Sequence, residues 1–470
     1  MELKGKKVLV VGLARSGVAA ARLLALHGAM VIANDAKPET ELAAQAAEVR
    51  KLGVMLSMGS HPESLFENAD LIVVSPGVPA DIAPLESARR AGVEIISEPE
   101  LAGRFLKGRM IGITGSNGKT TTTTLTGELM QAAGASVIVG GNIGTPLTSL
   151  VEKSSETTWT VAELSSFQLE TIHSLRVNVA VVTNITPDHL DRHGSMENYV
   201  RAKHRIFSNQ AESDWAVLNA DDPGVADMVA KLGVGSQKIY FSSGGRDADI
   251  YARENSIYTT LVTADRSEVE VIPFSEISVP GMHNVENIMA ALGATICAMN
   301  VKQGNLPALR DAIKQFKGVE HRIEHVTDVE GVKFYNDSKA TNVDSTVKAL
   351  ESFAGNVILI LGGKDKGSDY TVLAPLVRER VKHIILIGAA SDIIAEQLHD
   401  LRPMTRAISM DDAVVKAMEV AVAGDTVLLA PACASFDMFD NYEHRGRVFK
   451  QSVYKLVSQI HSGWTGRLTT

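Results

Sequence analysis

The chain has 470 residues, 45% of them hydrophobic and 21% charged, with a formal net charge of −9. That length exceeds what one hydrophobic core supports and predicts two to four domains. An acidic balance spread along the whole chain argues against nucleic acid or an anionic membrane surface as the main partner.

The first stretch, MELKGKKVLVVGLARSG, holds an apolar run that is short and ends at Arg15, so it reads as a strand entering a turn rather than a leader. No window approaches the roughly 18 apolar residues of a membrane span. The two cysteines, Cys297 and Cys433, lie far apart and suggest neither a disulfide framework nor a metal signature. A reducing cytoplasm is the expected location.

From Lys6 to Ser97, the runs KVLVVG, MVIAND, DLIVVS and VEIIS alternate with Ala-rich helical stretches, the rhythm of a doubly wound parallel sheet. The loop Gly12-Leu13-Ala14-Arg15-Ser16-Gly17 follows the first strand, and Asp35 closes the next. This is the layout of a dinucleotide site without the middle glycine that lets pyrophosphate approach the backbone. NAD or FAD, another nucleotide or nucleotide-sugar, and a purely structural turn all remain open at this point.

A second block opens at RMIGITG and runs to about Val319, with strands at SVIVGG, TVAEL, VAVVTNI and WAVLNA and a helix near Asn284–Met299. Gly244 to Pro280 reads as short strands and turns. Here the strand Met110–Thr114 feeds Gly115-Ser116-Asn117-Gly118-Lys119-Thr120 and then a helix. Glycines allow the backbone to curl its N–H groups toward phosphate oxygens, and the helix N-terminus adds partial positive charge. Lys119 would reach the β- and γ-phosphates and the Thr120 hydroxyl would sit on Mg²⁺. The spacing is irregular, with five residues rather than four between Gly112 and Gly118. Further on, Glu163 lies near a strand end, Asp188, His189 and Asp191 lie in a turn after the next strand, and Lys203 lies on a helix. Strand C-terminal ends converge on one edge of a parallel sheet, so Lys119, Glu163 and His189 are expected around one triphosphate. Glu163 and His189 are candidate Mg²⁺ ligands.

The third block, from Glu320 onward, repeats the rhythm with VKFYND, NVILILGG, HIILIG and DTVLLAP. Asp337, Lys339, Thr341, Lys366 and Ser435 would line its rim as a site for an anionic substrate. The expected architecture is α/β, three domains in series: a Rossmann-like N-terminal domain (1–97), a P-loop central ATPase domain (98–319) and a Rossmann-like C-terminal domain (320–470).

The segments ITGSNGKTTT, AELSSFQLE, NITPDHLDRHG, YVRAKHRIF, GMHNVENIMAA, EHRIE, NDSKATN and PACASFDMFDNYEHRG closely resemble, in that order, the Mur ligases of peptidoglycan synthesis. The resemblance covers nearly the whole chain. It implies that the three blocks take a UDP-sugar, ATP and an amino acid in turn. NDSKATN and ACASFD are similar to the branch that adds D-glutamate to UDP-N-acetylmuramoyl-L-alanine, and the DNPR motif of diaminopimelate-adding relatives is absent.

By resemblance, Gly115, Ser116, Asn117, Gly118, Lys119, Thr120, Thr121 and Thr122 hold the ATP phosphates, while Asn287, Asp337 and Arg322 lie toward its nucleoside side. Ser16, Asp35, Ser75 and Gly77 would contact the UDP moiety, and Asn142 and Ser165 the muramoyl-alanine. Lys339, Thr341, Lys366, Ser435 and Tyr442 would hold D-glutamate. Thr120, Glu163 and His189 resemble the ligands of two Mg²⁺ ions. Lys203 matches a lysine that is carbamylated in the family and, so modified, would join the metal ligands; Lys119, His189 and Lys203 are the implied catalytic residues. A cytoplasmic monomer without membrane insertion is expected. Asp35 is followed by Ala36 and Lys37 instead of a hydroxyl and an arginine, so the resemblance does not extend to the other uracil contacts. An NAD-linked oxidoreductase, the competing reading of the first block, leaves the Gly112 loop and the third block without a role.

Overall fold

The computed structural model describes residues 2–461 apart from positions 80, 143, 246 and 366, with the backbone alone at 191 and 461. Among the described residues the strands form three sheets. In the first, five parallel strands run in the order Met55–Met58, Met30–Asp35, Lys7–Val11, Leu71–Val74, Glu94–Ser97. Val8 to Val11 are almost wholly buried, as expected where helices cover both faces of a parallel sheet. The chain order reverses between Lys7–Val11 and Leu71–Val74, which places the Gly12 and Ser75 loops side by side at the switch point.

The second sheet has nine strands, and its centre follows the same logic. Arg109–Thr114 lies between Thr158–Glu163 and Val179–Val182, parallel to both. Three loops therefore leave one edge together: the one at Gly115, the one after Glu163 and the one after Val182. The far edge is built from Ile250–Arg253, Ser256–Thr259 and Val269–Pro273, the last two pairings antiparallel. The third sheet has six strands, with Thr426–Leu429 between Val332–Asn336 and Val357–Leu361.

These elements pack as two compact units: Met1–Glu276 with Val285–Lys314, and Ile277–Asn284 with Gln315–Thr470. The first two sheets share the first unit. The short helix Glu98–Gly103, which follows directly from the last strand of the first sheet, joins them through two buried carboxylates. Glu100 accepts the N–H groups of His173 (2.9 Å), Ser174 (3.0 Å) and Leu175 (2.9 Å), and Arg104 donates to it at 2.9 Å. Burial pushes its pKa upward, but these donors and the Ser174 hydroxyl outweigh burial and hold it at about 2.

Glu98 is the opposite case. One oxygen accepts the Thr148 N–H (2.6 Å) and hydroxyl (2.7 Å), while the other is buried with no hydrogen-bond partner among the described residues. Burial dominates and raises the carboxyl to about 7, against the lowering effect of Thr148. The folded protein thus keeps a proton that the unfolded chain releases near pH 4.5. Stability from this group is complete below that pH and falls as the pH rises toward 7, by about 3 kcal/mol at most. Glu98→Gln cannot titrate, so its unfolding temperature should fall less than the parent's between pH 5 and pH 8. Identical pH profiles would contradict this assignment.

Candidate active site

The loop after Arg109–Thr114 is shaped by two glycines in left-handed backbone: Gly115 at φ 148° and Gly118 at φ 80°. A Cβ at Gly115 would lie 2.0 Å from the Thr183 hydroxyl, and one at Gly118 2.3 Å from Asn287 Oδ1. Gly118 caps the helix Lys119–Ala132. Its run of threonines is a poor helix former by propensity, but hydroxyls bond back one turn, Thr124 to the Thr120 carbonyl (2.9 Å) and Thr126 to that of Thr122 (2.6 Å). Thr122 also donates to Asn287 Oδ1 at 3.2 Å, which ties Asn287 to the loop. The first turn offers the N–H groups of Lys119, Thr120 and Thr121, which a helix cannot satisfy internally.

Two loop amides are engaged otherwise. Asn184 accepts the Ser116 N–H through its carbonyl (2.9 Å) and the Asn117 N–H through its side chain (2.8 Å). The Ser116 hydroxyl meets the Thr186 carbonyl (2.8 Å) and the Tyr199 hydroxyl (2.9 Å). Asn184 and Tyr199 thus shape the loop, and neither was singled out by sequence. Tyr199 could have been found from its position one helical turn before Lys203.

Two ammonium groups converge on this loop. Lys119 Nζ donates to the carbonyls of Gly115 (2.9 Å) and Ser116 (2.7 Å). Lys203, on the helix Met196–His204, is buried and donates to the same Gly115 carbonyl at 2.7 Å. Its Nζ lies 4.5 Å from the Tyr199 ring centre. Burial, then the charge of Lys119, push the Lys203 pKa well below the ordinary lysine value, opposed by Asp188 and Glu163. Opposite stands buried Glu163, which accepts the Thr120 hydroxyl at 2.8 Å and the Asn142 amide at 2.9 Å. Thr120 and Glu163 are hard oxygen donors already in contact, a set that fits Mg²⁺. His189 occupies left-handed backbone at φ 52°, and its ring lies 3.5 Å from Asp188 and edge-on to Phe167. Ser165 caps the next short helix, exchanging hydrogen bonds with Gln168.

At the first sheet, Gly12 has φ 90° and its carbonyl accepts the buried Ser75 hydroxyl at 2.7 Å. A Cβ at Gly17 would lie 1.9 Å from that carbonyl oxygen, so the helix can start here only with glycine. Asp35 accepts the N–H groups of Leu13 (2.7 Å) and Lys37 (2.9 Å) and so braces the loop. Ser16 is half-buried at the helix start, and Gly77 is exposed between the two residues whose carbonyls Arg192 grips.

In the second unit, Asp337, Lys339 and Thr341 follow the strand Val332–Asn336, and Ser435 and Tyr442 follow Thr426–Leu429. The Asp337 N–H reaches the Leu429 carbonyl at 2.8 Å, and Lys339 Nζ lies 3.9 Å from the Tyr442 ring centre. Burial raises the Asp337 carboxyl to about 7, opposed by Arg322, the Ile323 N–H and Arg445. Buried Arg445, missed by sequence, donates to Ser338 and to the Cys433 carbonyl and thereby aligns the two loops. Lys366 lies outside the described residues.

Family models match along the chain: the Mur ligase MurD-like N-terminal domain at residues 6–97, the Mur ligase middle domain at 113–295, and the Mur ligase glutamate ligase domain at 321–433. The UDP-N-acetylmuramoylalanine--D-glutamate ligase of Koribacter versatilis is 48% identical over 98% of this chain and 99% of its own. The enzyme of the same name from Acidobacterium capsulatum is 49% identical over 96% and 97%. Among solved structures, UDP-N-acetylmuramate-alanine ligase MurC from Thermotoga maritima superposes with a TM-score of 0.60 at 20% identity, covering 96% of this chain and all of that one. A pseudomurein peptide ligase type C from Methanothermus fervidus gives 0.59 at 20% identity, with the same coverage. Three consecutive domain matches and near-complete alignment with these enzymes leave one assignment: the chain belongs to the Mur ligase family.

Proposed function

We propose that this chain is an ATP-dependent ligase that joins D-glutamate to the alanyl carboxylate of UDP-N-acetylmuramoyl-L-alanine in peptidoglycan precursor synthesis. The observation that carries the reading is identity of 48% across 98% of the chain to a ligase of that name. Residues 1–97 would bind the UDP-sugar through Ser16, Asp35, Ser75 and Gly77. Residues 98–319 would bind ATP along Gly115–Thr122 and at Asn287, and place the muramoyl-alanine against Asn142 and Ser165. Residues 320–470 would take D-glutamate at Lys339, Thr341, Lys366, Ser435 and Tyr442, with Arg322 and Asp337 on the nucleotide side.

A carboxylate is a poor electrophile at neutral pH, so it must first be activated. An alanyl carboxylate oxygen attacks the γ-phosphorus, the bond to the β-phosphate oxygen breaks, and ADP leaves an acyl phosphate. The neutral D-glutamate amine then adds to the acyl carbon. The tetrahedral intermediate loses phosphate and the nitrogen loses a proton. Charge crowds onto the transferring phosphoryl group, so rate comes from positioning and cationic stabilisation. Lys119 and the first-turn N–H groups supply fixed positive potential there. Thr120, Glu163 and His189 would hold magnesium, which neutralises phosphate charge when bound; we propose two ions.

Lys203 fits carbamylation in one respect: the reaction needs a neutral amine, and burial beside Lys119 favours that form. The carbamate would give this buried side chain an anionic end in place of an amine. Lys203→Ala should lose about a hundredfold or more in turnover, with partial recovery on adding formate or acetate. Absence of recovery would contradict the carbamate. We also propose a monomer acting in the cytoplasm; no described helix is long and apolar enough to cross a membrane.

Phosphate release with ATP, UDP-N-acetylmuramoyl-L-alanine and one amino acid at a time tests the substrate assignment. D-glutamate should support turnover. Activity with L-alanine or diaminopimelate in its place would contradict it.

A further inference from the structure

The loop after Leu71–Val74 belongs to the first sheet and the segment after Val179–Val182 to the second, yet one side chain joins them. Arg192 donates from Nη1 to the Pro76 carbonyl (2.6 Å) and from Nη2 to the Val78 carbonyl (2.8 Å). Its guanidinium carbon lies 3.9 Å from the Phe167 ring centre. Phe167 follows Glu163 by four residues, meets the His189 ring edge-on at 5.0 Å and stacks on His193 at 5.2 Å. The His193 ring is itself held by the Ser166 hydroxyl (2.9 Å) and Glu170 (3.1 Å). Arg192 lies on the helix Leu190–His193, whose cap is His189. One planar fork therefore grips the carbonyls on either side of Gly77 while it rests on the segment that carries Glu163.

We propose that Arg192 is a positioning residue that fixes the 75–78 loop, and the UDP-sugar it would hold, against the His189 and Glu163 segments. The inference rests on the ligase reading above. The reacting carboxylate is tethered to the UDP moiety, so a shift of this loop carries the carboxylate away from the γ-phosphate. A misplacement of about 1 Å can cost on the order of a hundredfold in rate. A guanidinium is a planar fork that can hold two carbonyls in fixed directions while its face stacks on a ring, whereas an ammonium has no planar face to stack. The fork donates to the carbonyls of the 75–78 loop, so its loss should bear on the acceptor more than on ATP.

The test compares the parent protein with Arg192→Ala and Arg192→Lys. Calorimetry gives Kd for UDP-N-acetylmuramoyl-L-alanine and, separately, for a non-hydrolysable ATP analogue; turnover gives kcat. In Arg192→Ala, acceptor affinity and kcat should each fall about tenfold or more, with the ATP analogue bound within about twofold of the parent. Arg192→Lys should fall between, and millimolar guanidinium should partly restore acceptor binding to Arg192→Ala. Acceptor affinity within about twofold of the parent, or equal loss of both ligands, would overturn the proposal. Should Arg192→Ala not fold, Arg192→Lys decides by the same split between ligands. A parent protein that binds no acceptor overturns the ligase reading, and this inference with it. A parent that binds acceptor no better than its variants overturns only the role of Arg192.

Discussion

The carbonyl of Gly115 accepts hydrogen bonds from two lysines, Lys119 at 2.9 Å and Lys203 at 2.7 Å. Left-handed backbone at φ 148° turns that oxygen toward both, and a Cβ there would collide with Thr183. Two ammonium groups around one dipole repel each other, and burial of Lys203 removes the water that would screen them. Burial first, and the Lys119 charge second, press the Lys203 ammonium toward its neutral form. Lys119 is held by the Gly115 and Ser116 carbonyls, and Asp188 and Glu163 supply the opposing negative charge. A polyphosphate is the natural complement of such a loop.

The strands that deliver these groups were legible because parallel sheets bury both faces and so read as apolar runs, as in KVLVV and VAVV. Met55–Met58 was not, because it is a partly exposed edge strand without a β-branched residue. Glu163, expected from its strand end to meet the Lys119 loop, is hydrogen-bonded to Thr120. What sequence could not reveal were partnerships with backbone. Arg192 finds its acceptors 116 and 114 residues away, and Glu100 its amide donors 73 to 75 residues away. Any residue type can offer a carbonyl or an amide, so the sequence at the receiving end carries no signal. Asn184 is hidden for the same reason, since it acts on the amides of Ser116 and Asn117.

The same reliance on backbone partners explains how two nucleotide-type sheets cooperate. Glu98 and Glu100, on one short helix, hold Thr148 and the 173–175 turn, which follow the Asn142 and Ser165 loops respectively. Arg192 grips the loop on the other side, at residues 76 and 78. The first sheet is thus registered on the second at separate points around the loops that would carry the acceptor. Such registry matters more to a ligase than to a simple ATPase. It must bring an acyl oxygen and a phosphorus into line, and a well-oriented pair gains several kcal/mol over a free encounter.

In the proposed ligase the Gly115 loop serves to transfer phosphorus to a carboxylate. This role is tested most directly by labelling the alanyl carboxylate of UDP-N-acetylmuramoyl-L-alanine with oxygen-18 and analysing the released phosphate by mass spectrometry after turnover with D-glutamate. Activation through an acyl phosphate moves one labelled oxygen into each phosphate released. Unlabelled phosphate alongside amide product would contradict the account.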